Sequence, residues 1–274
     1  MPRVLAALAA LGLSVAFLAS PATGDARQKP KPSPRPTASA SAAPSASVAP
    51  SPTATPAPTL TPSPASLDGI DVSYHQGAID WTRVAGAGKR FAYVRASAGT
   101  LTADSAYATN TAGARAAGLT VGSYHFANPD SAANDASNEA AWFLRNAGIA
   151  SGDLLPILDL EVANGFDPSS LIAWAGAWLQ GVESATGVRP IIYTTPAFWT
   201  ASMANTDWFA QNGYRLWIAH WTTALQPTVP AGNWAGQGWT FWQHSSTGSV
   251  PGIAGSVDLD RFNGASLTSA VLVP

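Results

Sequence analysis

The chain has 274 residues, with 16 acidic and 14 basic side chains, a net charge of −2 and no cysteine. The absence of cysteine excludes a disulfide framework, a thiolate zinc site and a lipid anchor on cysteine. The part from Leu67 to Pro274 contains all eleven tryptophans and has a net charge of −6. An acidic domain of this kind argues against nucleic acid as a partner.

The first segment, residues 1–26, is predicted to be a secretory signal peptide. Arg3 precedes an apolar stretch from Val4 to Leu18, and small residues suited to cleavage follow near Ala22 or Ala26. The stretch is shorter than the roughly 20 residues that cross a membrane, although an uncleaved anchor is the alternative. We therefore expect export, and no membrane attachment after cleavage of the signal.

Residues 27–66 are predicted to form a disordered linker. They contain eleven of the 22 prolines and consist mainly of Pro, Ser, Ala and Thr. Such a composition buries too little apolar surface to offset the entropy of ordering the chain. A spacer of this kind suits an extracellular protein associated with the cell wall. The alternative is a leader segment whose length has no function as a spacer.

Residues 67–274 alternate short apolar runs with helical stretches, long enough for one domain with a substantial core. The predicted helices are Ser105–Ala117, Ala132–Ala147 and Ser169–Thr186. The predicted strands are Gly69–Ser73, Phe91–Ala96, Thr120–Phe126, Leu155–Leu160, Pro190–Thr194, Leu216–Ala219, Thr240–Gln243 and Val257–Leu259. This alternation predicts an α/β fold, a TIM-like parallel β/α barrel of eight strands with fewer than eight helices.

Polar residues stand at the carboxyl ends of these predicted strands, where β/α barrels carry their active sites. They are Asp71, Arg95, Tyr124, His125, Asp159, Glu161, Tyr193, His220, Gln243 and Asp258. We expect them to converge on one site.

Asp159 and Glu161 are the most informative pair in this set. Side chains two residues apart on a strand point to the same face, roughly 6–7 Å from each other. Like charges so placed oppose each other's ionisation, which has no structural use in an apolar strand. Glycoside hydrolysis needs one protonated acid beside one ionised carboxylate, so the pair indicates a glycosidase.

Seven segments, in order, resemble glycoside hydrolase family 25, the Chalaropsis-type lysozymes or N-acetylmuramidases. They are Gly69–Ser73, Gly122–Phe126, Leu158–Glu161, Ile192–Thr194, Leu216–Ala219, Phe241–Gln243 and Val257–Leu259. The resemblance implies an eight-stranded barrel with fewer helices. It also implies hydrolysis of the β-1,4 bond between N-acetylmuramic acid and N-acetylglucosamine in peptidoglycan.

The resemblance also implies roles for single residues. Glu161 matches the general acid, and Asp159 would stay ionised and stabilise the oxocarbenium-like transition state. Asp71 and Asp258 match the other two carboxylates of the groove. Predicted sugar contacts are Tyr124, His125, Tyr193, Trp242, Gln243 and Arg95. We favour attack on the anomeric carbon by the substrate's own acetamido oxygen. Direct attack by water remains the alternative.

Three departures from the family's pattern bear on activity. Ala98 stands where the family usually has a groove glutamate, Trp221 follows His220 in place of an Arg-Tyr pair, and His244 replaces an aromatic residue. Because of Ala98, a catalytically weak peptidoglycan-binding module remains an alternative. A chitinase-like glycosidase is another, because substrate-assisted chitinases also carry Asp-x-Glu at a strand end.

Four histidines near strand ends raise a further alternative, a metallohydrolase: His75, His125, His220 and His244. No metal-binding histidine motif occurs, so we expect no metal and no cofactor. We also expect a monomer, because no heptad repeat is present.

Several other residues are predicted to have structural roles. Trp174 and Trp178, four residues apart on a helix, are predicted core residues, and Trp142 and Trp208 are expected to belong with them. Glu139 is predicted to be solvated. An ion pair at the surface between Asp260 and its neighbour Arg261 is the structural alternative to a catalytic Asp258.

Overall fold

The computed structural model describes residues 66–273. The predicted signal peptide (1–26) and the predicted linker, except for its last residue, lie outside this range. No helix in the described range is both long enough and apolar enough to cross a membrane.

The described residues form a closed eight-stranded barrel. Its strands follow the order β1-β9-β8-β7-β6-β5-β4-β2, and pairing of β1 with β2 closes the ring, while β3 extends β2 as a short hairpin. The strands are β1 (Leu67–Val72), β2 (Phe91–Ala98), β3 (Thr102–Ala103), β4 (Thr120–Phe126), β5 (Ile157–Asp159), β6 (Ile191–Thr194), β7 (Arg215–Ala219), β8 (Phe241–Gly248) and β9 (Val257–Phe262). The predicted eight-stranded barrel is confirmed.

The direction of the last strand differs from the prediction. β9 pairs antiparallel with both of its neighbours, β8 and β1, whereas the other barrel pairs are parallel. Asp258 therefore lies near the amino end of its strand, not at the carboxyl end as predicted. Because the strand is reversed, that end still lies at the same edge of the barrel as the carboxyl ends of the parallel strands.

Apart from two short 3-10 helices, Tyr74–Gln76 and Leu267–Ala270, seven helical segments lie around the barrel in the described range, which confirms that there are fewer than eight. They are α1 (Trp81–Gly86), α2 (Tyr107–Ala116), α3 (Asp135–Asn146), α4 (Pro168–Thr186), α5 (Pro196–Ser202), α6 (Trp208–Gln211) and a turn at Pro230–Ala235. Asp167 caps the start of α4 through the backbone N–H groups of Ser169 and Ser170, and Gly187 ends it at φ 73°. This is the start and stop that the sequence predicts.

The turn at Pro230–Ala235 is left-handed, which is rare for residues other than glycine. Ala231 has φ 54° and ψ 48°, and Trp234 has φ 53° and ψ 54°. Two hydrogen bonds hold it: the Ala231 N–H donates to Asn205 Oδ1, and Trp234 Nε1 donates to the Tyr214 carbonyl, each at 2.7 Å. Trp234 is fully buried, so the burial of its indole ring stabilises the turn.

Aromatic side chains fill the barrel interior. Tyr93 packs edge-on against Phe241, with ring centroids 5.3 Å apart, and lies 4.8 Å from Trp217. Gly122 has no room for a Cβ, because the Tyr93 ring and Leu154 occupy that space. These bulky residues close the lower part of the barrel, so a ligand has access only from the open end.

A second apolar layer lies between the strands and the helices. Trp174 and Trp178 of α4 are buried there, as predicted. Trp208 is 41% exposed, so the prediction that it belongs to the core is wrong. It is the first residue of the four-residue helix α6, which presents its next residue, Phe209, to the core instead.

Candidate active site

A pocket of about 300 Å³ opens at the end of the barrel where the parallel strands terminate. Eight of the ten residues predicted for the site line it: Asp71, Arg95, Tyr124, Asp159, Glu161, Tyr193, Gln243 and Asp258. They come from seven of the eight barrel strands or the residues that follow them. The structure thus brings together groups that are up to 187 residues apart in the chain.

Asp159 and Glu161 lie on one wall of this pocket, and their environments differ. Asp159 ends β5 and is buried, and its Oδ1 has no hydrogen-bond partner among the described residues. Burial first, and then the negative charge of Glu161, raise the pKa of Asp159 well above its usual value. Glu161 is exposed at the mouth, and its smaller desolvation raises its pKa less. Desolvation therefore disfavours ionisation of both carboxyl groups, and the charge of Glu161 further disfavours ionisation of Asp159.

The opposite wall carries Asp71 and Asp258. Burial raises the pKa of Asp71 well above its usual value, and the charge of Asp258 adds to this effect. Burial, followed by the charge of Glu161, raises the pKa of Asp258 to about 6. The pocket consequently concentrates carboxyl groups whose pKa values are raised by burial and, for Asp71, Asp159 and Asp258, by neighbouring negative charges.

Gln243 organises this wall through its side-chain amide. Its Oε1 accepts hydrogen bonds from the Tyr193 hydroxyl at 3.1 Å and from Trp221 Nε1 at 3.0 Å. Two donors on the oxygen fix the orientation of the amide. Its Nε2 therefore faces Asp71 and donates to Oδ2 at 2.7 Å, which stabilises the ionised form of Asp71.

Arg95 supplies positive charge to the pocket. Its Nε donates to Asp104 Oδ2 at 3.0 Å, and its guanidinium lies 5.0 Å from the centre of the Tyr74 ring. Asp104 also accepts the backbone N–H groups of Tyr74 and Ala106, so it is firmly held. The positive charge of Arg95 lowers the pKa of Asp159 and so partly offsets the effect of burial.

Comparisons with known proteins agree with this geometry. Residues 70–253 match the family described as Glycosyl hydrolases family 25. The chain belongs to this family. Lysozyme M1 of Streptomyces globisporus is 36% identical over 211 residues, covering 74% of this chain and 69% of the relative. The family 25 domain is therefore a glycoside hydrolase domain.

A fungal relative and two solved structures extend the likeness. The N,O-diacetylmuramidase of Chalaropsis is 31% identical, over 70% of this chain and 96% of that protein. The Streptomyces coelicolor lysozyme has a TM-score of 0.68 at 34% identity, covering 74% of this chain and 94% of the other. The Aspergillus fumigatus family GH25 lysozyme has a TM-score of 0.67 at 30% identity, with 75% and 98% covered.

His125 does not reach the pocket of the family 25 domain, so its predicted sugar contact is corrected. It follows Tyr124, and successive strand residues face opposite sides. His125 is fully buried between β4 and the helices, where its ring stacks on Trp178. Its Nδ1 lies 2.8 Å from Ser97 Oγ, and its Nε2 lies 2.8 Å from Glu139. Its function is therefore structural packing.

Glu139 is also corrected, because it is buried and not solvated. Besides His125 it accepts the backbone N–H of Asn128. This carboxylate therefore links α3 to the segment that follows β4.

Trp242 requires the same correction as His125. Its neighbour Gln243 faces the pocket, so Trp242 faces outward and is 2% exposed. It packs edge-on against Trp239, and its Nε1 donates to the His220 carbonyl at 2.8 Å. An indole so enclosed has no face free to stack on a sugar.

The four histidines do not gather in one place. His75 lines the pocket, and His125 is buried behind β4. His220 does not line the pocket, contrary to the prediction, and its Nδ1 accepts the backbone N–H of Thr228. His244 packs edge-on against Trp242. Within residues 66–273, no group of three or more His, Asp or Glu is arranged to hold a metal ion. The described residues therefore offer a metallohydrolase no ligand set.

Three important residues were not among those predicted for the site. Trp221 lines the pocket with 59% of its surface exposed, and Trp217 lines its floor. Asp260, for which a surface ion pair with Arg261 was only the structural alternative, is fully buried and accepts a hydrogen bond from Trp217 Nε1 at 3.2 Å. The sequence indicates that Asp260 faces the barrel interior, because it lies two residues after Asp258 on the same strand and both side chains then share a face.

Proposed function

We propose that this protein is a secreted lysozyme, a 1,4-β-N-acetylmuramidase that hydrolyses the bond between N-acetylmuramic acid and N-acetylglucosamine in peptidoglycan. One observation carries the proposal. A buried Asp159 and an exposed Glu161 line the same open pocket, and both have raised pKa values. A family 25 domain with this pair has the proton donor and the anionic stabiliser that glycosidic cleavage requires.

Glu161 is the proposed general acid, since it is the member of the pair at the mouth, within reach of a leaving oxygen. Its proton passes to the glycosidic oxygen as the bond from that oxygen to the anomeric carbon breaks. The positive charge that develops on the sugar is stabilised by Asp159 behind it. A bound sugar removes more water from Glu161 and raises its pKa further, so Glu161 is the protonated member of the pair in the complex.

The acetamido oxygen of the same sugar is the proposed nucleophile. Its bond to the anomeric carbon gives an oxazolinium intermediate, and Asp159 stabilises the positive nitrogen of that ring. Water then attacks the anomeric carbon as the bond from that carbon to the acetamido oxygen breaks, which regenerates the acetamide. The water gives a proton to the Glu161 carboxylate, which restores the acid. Direct attack by water would instead invert the configuration, and an NMR assay of the first-formed anomer distinguishes the two routes.

The remaining pocket residues are proposed to bind and orient the glycan. Asp71, held by Gln243, and Asp258 face the acid pair and accept hydroxyl or amide hydrogens from the sugar. Tyr124 and Tyr193 add hydroxyl groups near the reacting centre. Arg95 limits the negative charge around Asp159. This arrangement leaves Trp221 as the exposed aromatic surface on which a sugar ring can stack.

The names of the relatives support the choice of substrate. The similar proteins include Lysozyme M1 and an N,O-diacetylmuramidase. Secretion is proposed from the predicted signal peptide, and association with the wall from the predicted linker.

The test is digestion of purified peptidoglycan followed by borohydride reduction and mass spectrometry of the fragments. A muramidase produces fragments that end in reduced muramic acid, at a rate that Glu161→Gln lowers at least a thousandfold. Binding without new reducing ends would favour the binding-module alternative. Faster cleavage of chitin oligomers than of peptidoglycan would favour the chitinase-like alternative.

A further inference from the structure

The structure contains a buried acid for which the proposed mechanism has no use. Asp260 is fully buried in the upper part of the barrel, below the pocket, and does not line it. Its Oδ1 accepts the Trp217 indole hydrogen, but its Oδ2 has no hydrogen-bond partner among the described residues. A buried carboxylate oxygen without a partner is costly, so the protonation state of Asp260 needs an explanation.

The neighbour of Asp260 is another acid. On β9, Asp258 pairs with Asp71 of β1, while Asp260 pairs with Gly69. Asp71 and Asp260 are thus diagonal neighbours on the interior face, within hydrogen-bonding reach of each other. Two ionised carboxylates in contact and away from water repel strongly, whereas one shared proton turns the repulsion into a charge-assisted hydrogen bond.

The surrounding groups indicate which acid carries the proton. Asp71 already accepts a hydrogen bond from Gln243 Nε2, which favours its ionised form. Among the described residues, Asp260 has one donor, the indole of Trp217, and no cation in hydrogen-bonding contact. Of the other titratable groups near it, Asp258 opposes its ionisation, and the Tyr93 hydroxyl donates to the Leu155 carbonyl. Lys89 interacts with Asp260 only through its charge, and Arg261 lies 3.8 Å from Asp68 instead.

We propose that Asp260 is a protonated positioning residue that donates a hydrogen bond to Asp71 and thereby holds the Asp71 carboxylate ionised and aimed at the sugar. Burial and the charge of Asp71 both raise the pKa of Asp260. The hydrogen bond from Asp260 in turn lowers the pKa of Asp71. Asp71 is then fixed from two sides, by the amide of Gln243 and by the hydroxyl of the Asp260 carboxyl group. The proposal rests on the catalytic use of Asp71 in the proposed function.

Infrared spectroscopy tests the proton directly, without substrate. Asp260→Asn keeps an acceptor for Trp217 and a donor for Asp71 but cannot form a carboxylic acid. Near pH 6 we expect this variant to lose part of the C=O absorption of protonated carboxyl groups. Asp153→Asn is the matched control, because Asp153 is a buried carboxylate in a salt bridge with Arg115. An undiminished carboxylic acid band in Asp260→Asn would overturn the proposal.

Kinetics on peptidoglycan provide a second readout. We expect Asp260→Asn to keep kcat within about threefold of the parent, whereas Asp260→Leu loses at least thirtyfold in kcat with KM changed less than twofold. Without a donor from residue 260 the pKa of Asp71 rises, so the acid limb of the kcat profile moves to higher pH in the Leu variant only. Equal impairment of both variants would contradict the proposal. An inactive parent would refute the proposed function, while the infrared result would still decide the protonation of Asp260.

Discussion

Asp258 on β9 lies directly opposite Asp71 on β1 in an antiparallel pair of strands. The first and last strands of the barrel thus place two carboxyl groups side by side, facing the acid pair at the end of β5. Closure of the barrel places Asp258 beside Asp71, because β9 pairs with both β8 and β1. The close approach of these two carboxyl groups, which are remote in sequence, therefore depends on the pairing of β1 with β9.

Replacement of the proposed general acid gives the first prediction. We expect Glu161→Gln to reduce kcat on purified peptidoglycan at least a thousandfold, equivalent to about 4 kcal/mol of transition-state stabilisation. The amide has the shape of the acid but cannot release a proton. Glu183→Gln is the matched control, since Glu183 is a partly exposed glutamate on α4 that bonds Arg189 and Tyr214. Comparable loss in both variants would point to a defect in folding and not in proton transfer.

Stability should depend on the ionisation of Asp258. Its pKa is about 6 in the folded protein, against about 3.9 in an unfolded chain. Between these values the folded state binds more protons, so the contribution of Asp258 to the free energy of unfolding falls as pH rises from about 4 to 6. We expect Asp258→Asn to gain stability relative to the parent over this window in urea denaturation.

The control for that experiment is Asp68→Asn, because the Asp68 side chain is 55% exposed. A pH-dependent gain of the same size in both variants would show that the effect does not come from the partly buried position of Asp258. A constant difference for Asp258→Asn between pH 4 and 7 would show that the carboxyl group is not desolvated as described.

The sequence predicted the barrel because apolar runs and helical stretches alternate and because polar residues follow the runs. The sequence did not reveal the reversed last strand, because the predicted strands Thr240–Gln243 and Val257–Leu259 leave 13 residues between them, and a parallel connection needs a dozen or more. In the structure β8 continues to Gly248, so only residues 249–256 separate it from β9. A gap of that length fits an antiparallel pair.

Strand alternation would have separated pocket residues from packing residues. Tyr124 and His125 are adjacent, as are Trp242 and Gln243, so only one of each pair can face the interior. In contrast, nothing local predicts that Glu139 is buried against His125, or that Trp217 donates to Asp260. Such pairings depend on which distant elements pack together, and a single sequence does not specify them.

Trp221 combines two roles that substitution can separate. Its indole ring is exposed in the pocket, and its Nε1 donates to Gln243. We expect Trp221→Phe, which keeps an aromatic face, to change KM for soluble glycan fragments less than about threefold. Trp221→Ala should raise KM about tenfold, since loss of aromatic stacking removes about 1 kcal/mol or more of binding. If both variants raise KM equally, the N–H donor and not the ring face would be the important feature.

The buried pair of His125 and Glu139 gives a prediction about stability without catalysis. Glu139→Ala leaves the Asn128 N–H and the His125 ring without an acceptor, so we expect a loss of about 2–3 kcal/mol in the free energy of unfolding. Glu139→Gln keeps an oxygen acceptor and should lose less. Neither change touches the pocket, so kcat measured well below the melting temperature should stay within about twofold of the parent.

The pH dependence of this pair has a definite sign. Burial lowers the pKa of His125 despite the opposing effect of Glu139, and an unfolded histidine has a pKa of about 6.5. The unfolded state therefore binds more protons, so the stability contribution is fully present above about pH 6.5 and is lost as pH falls through the folded pKa. His125→Asn, which does not titrate, should lose this part of the acid sensitivity in denaturant titrations at pH 5 and 7. If the parent and this variant lost equal stability on acidification, the acid sensitivity would have to come from other groups.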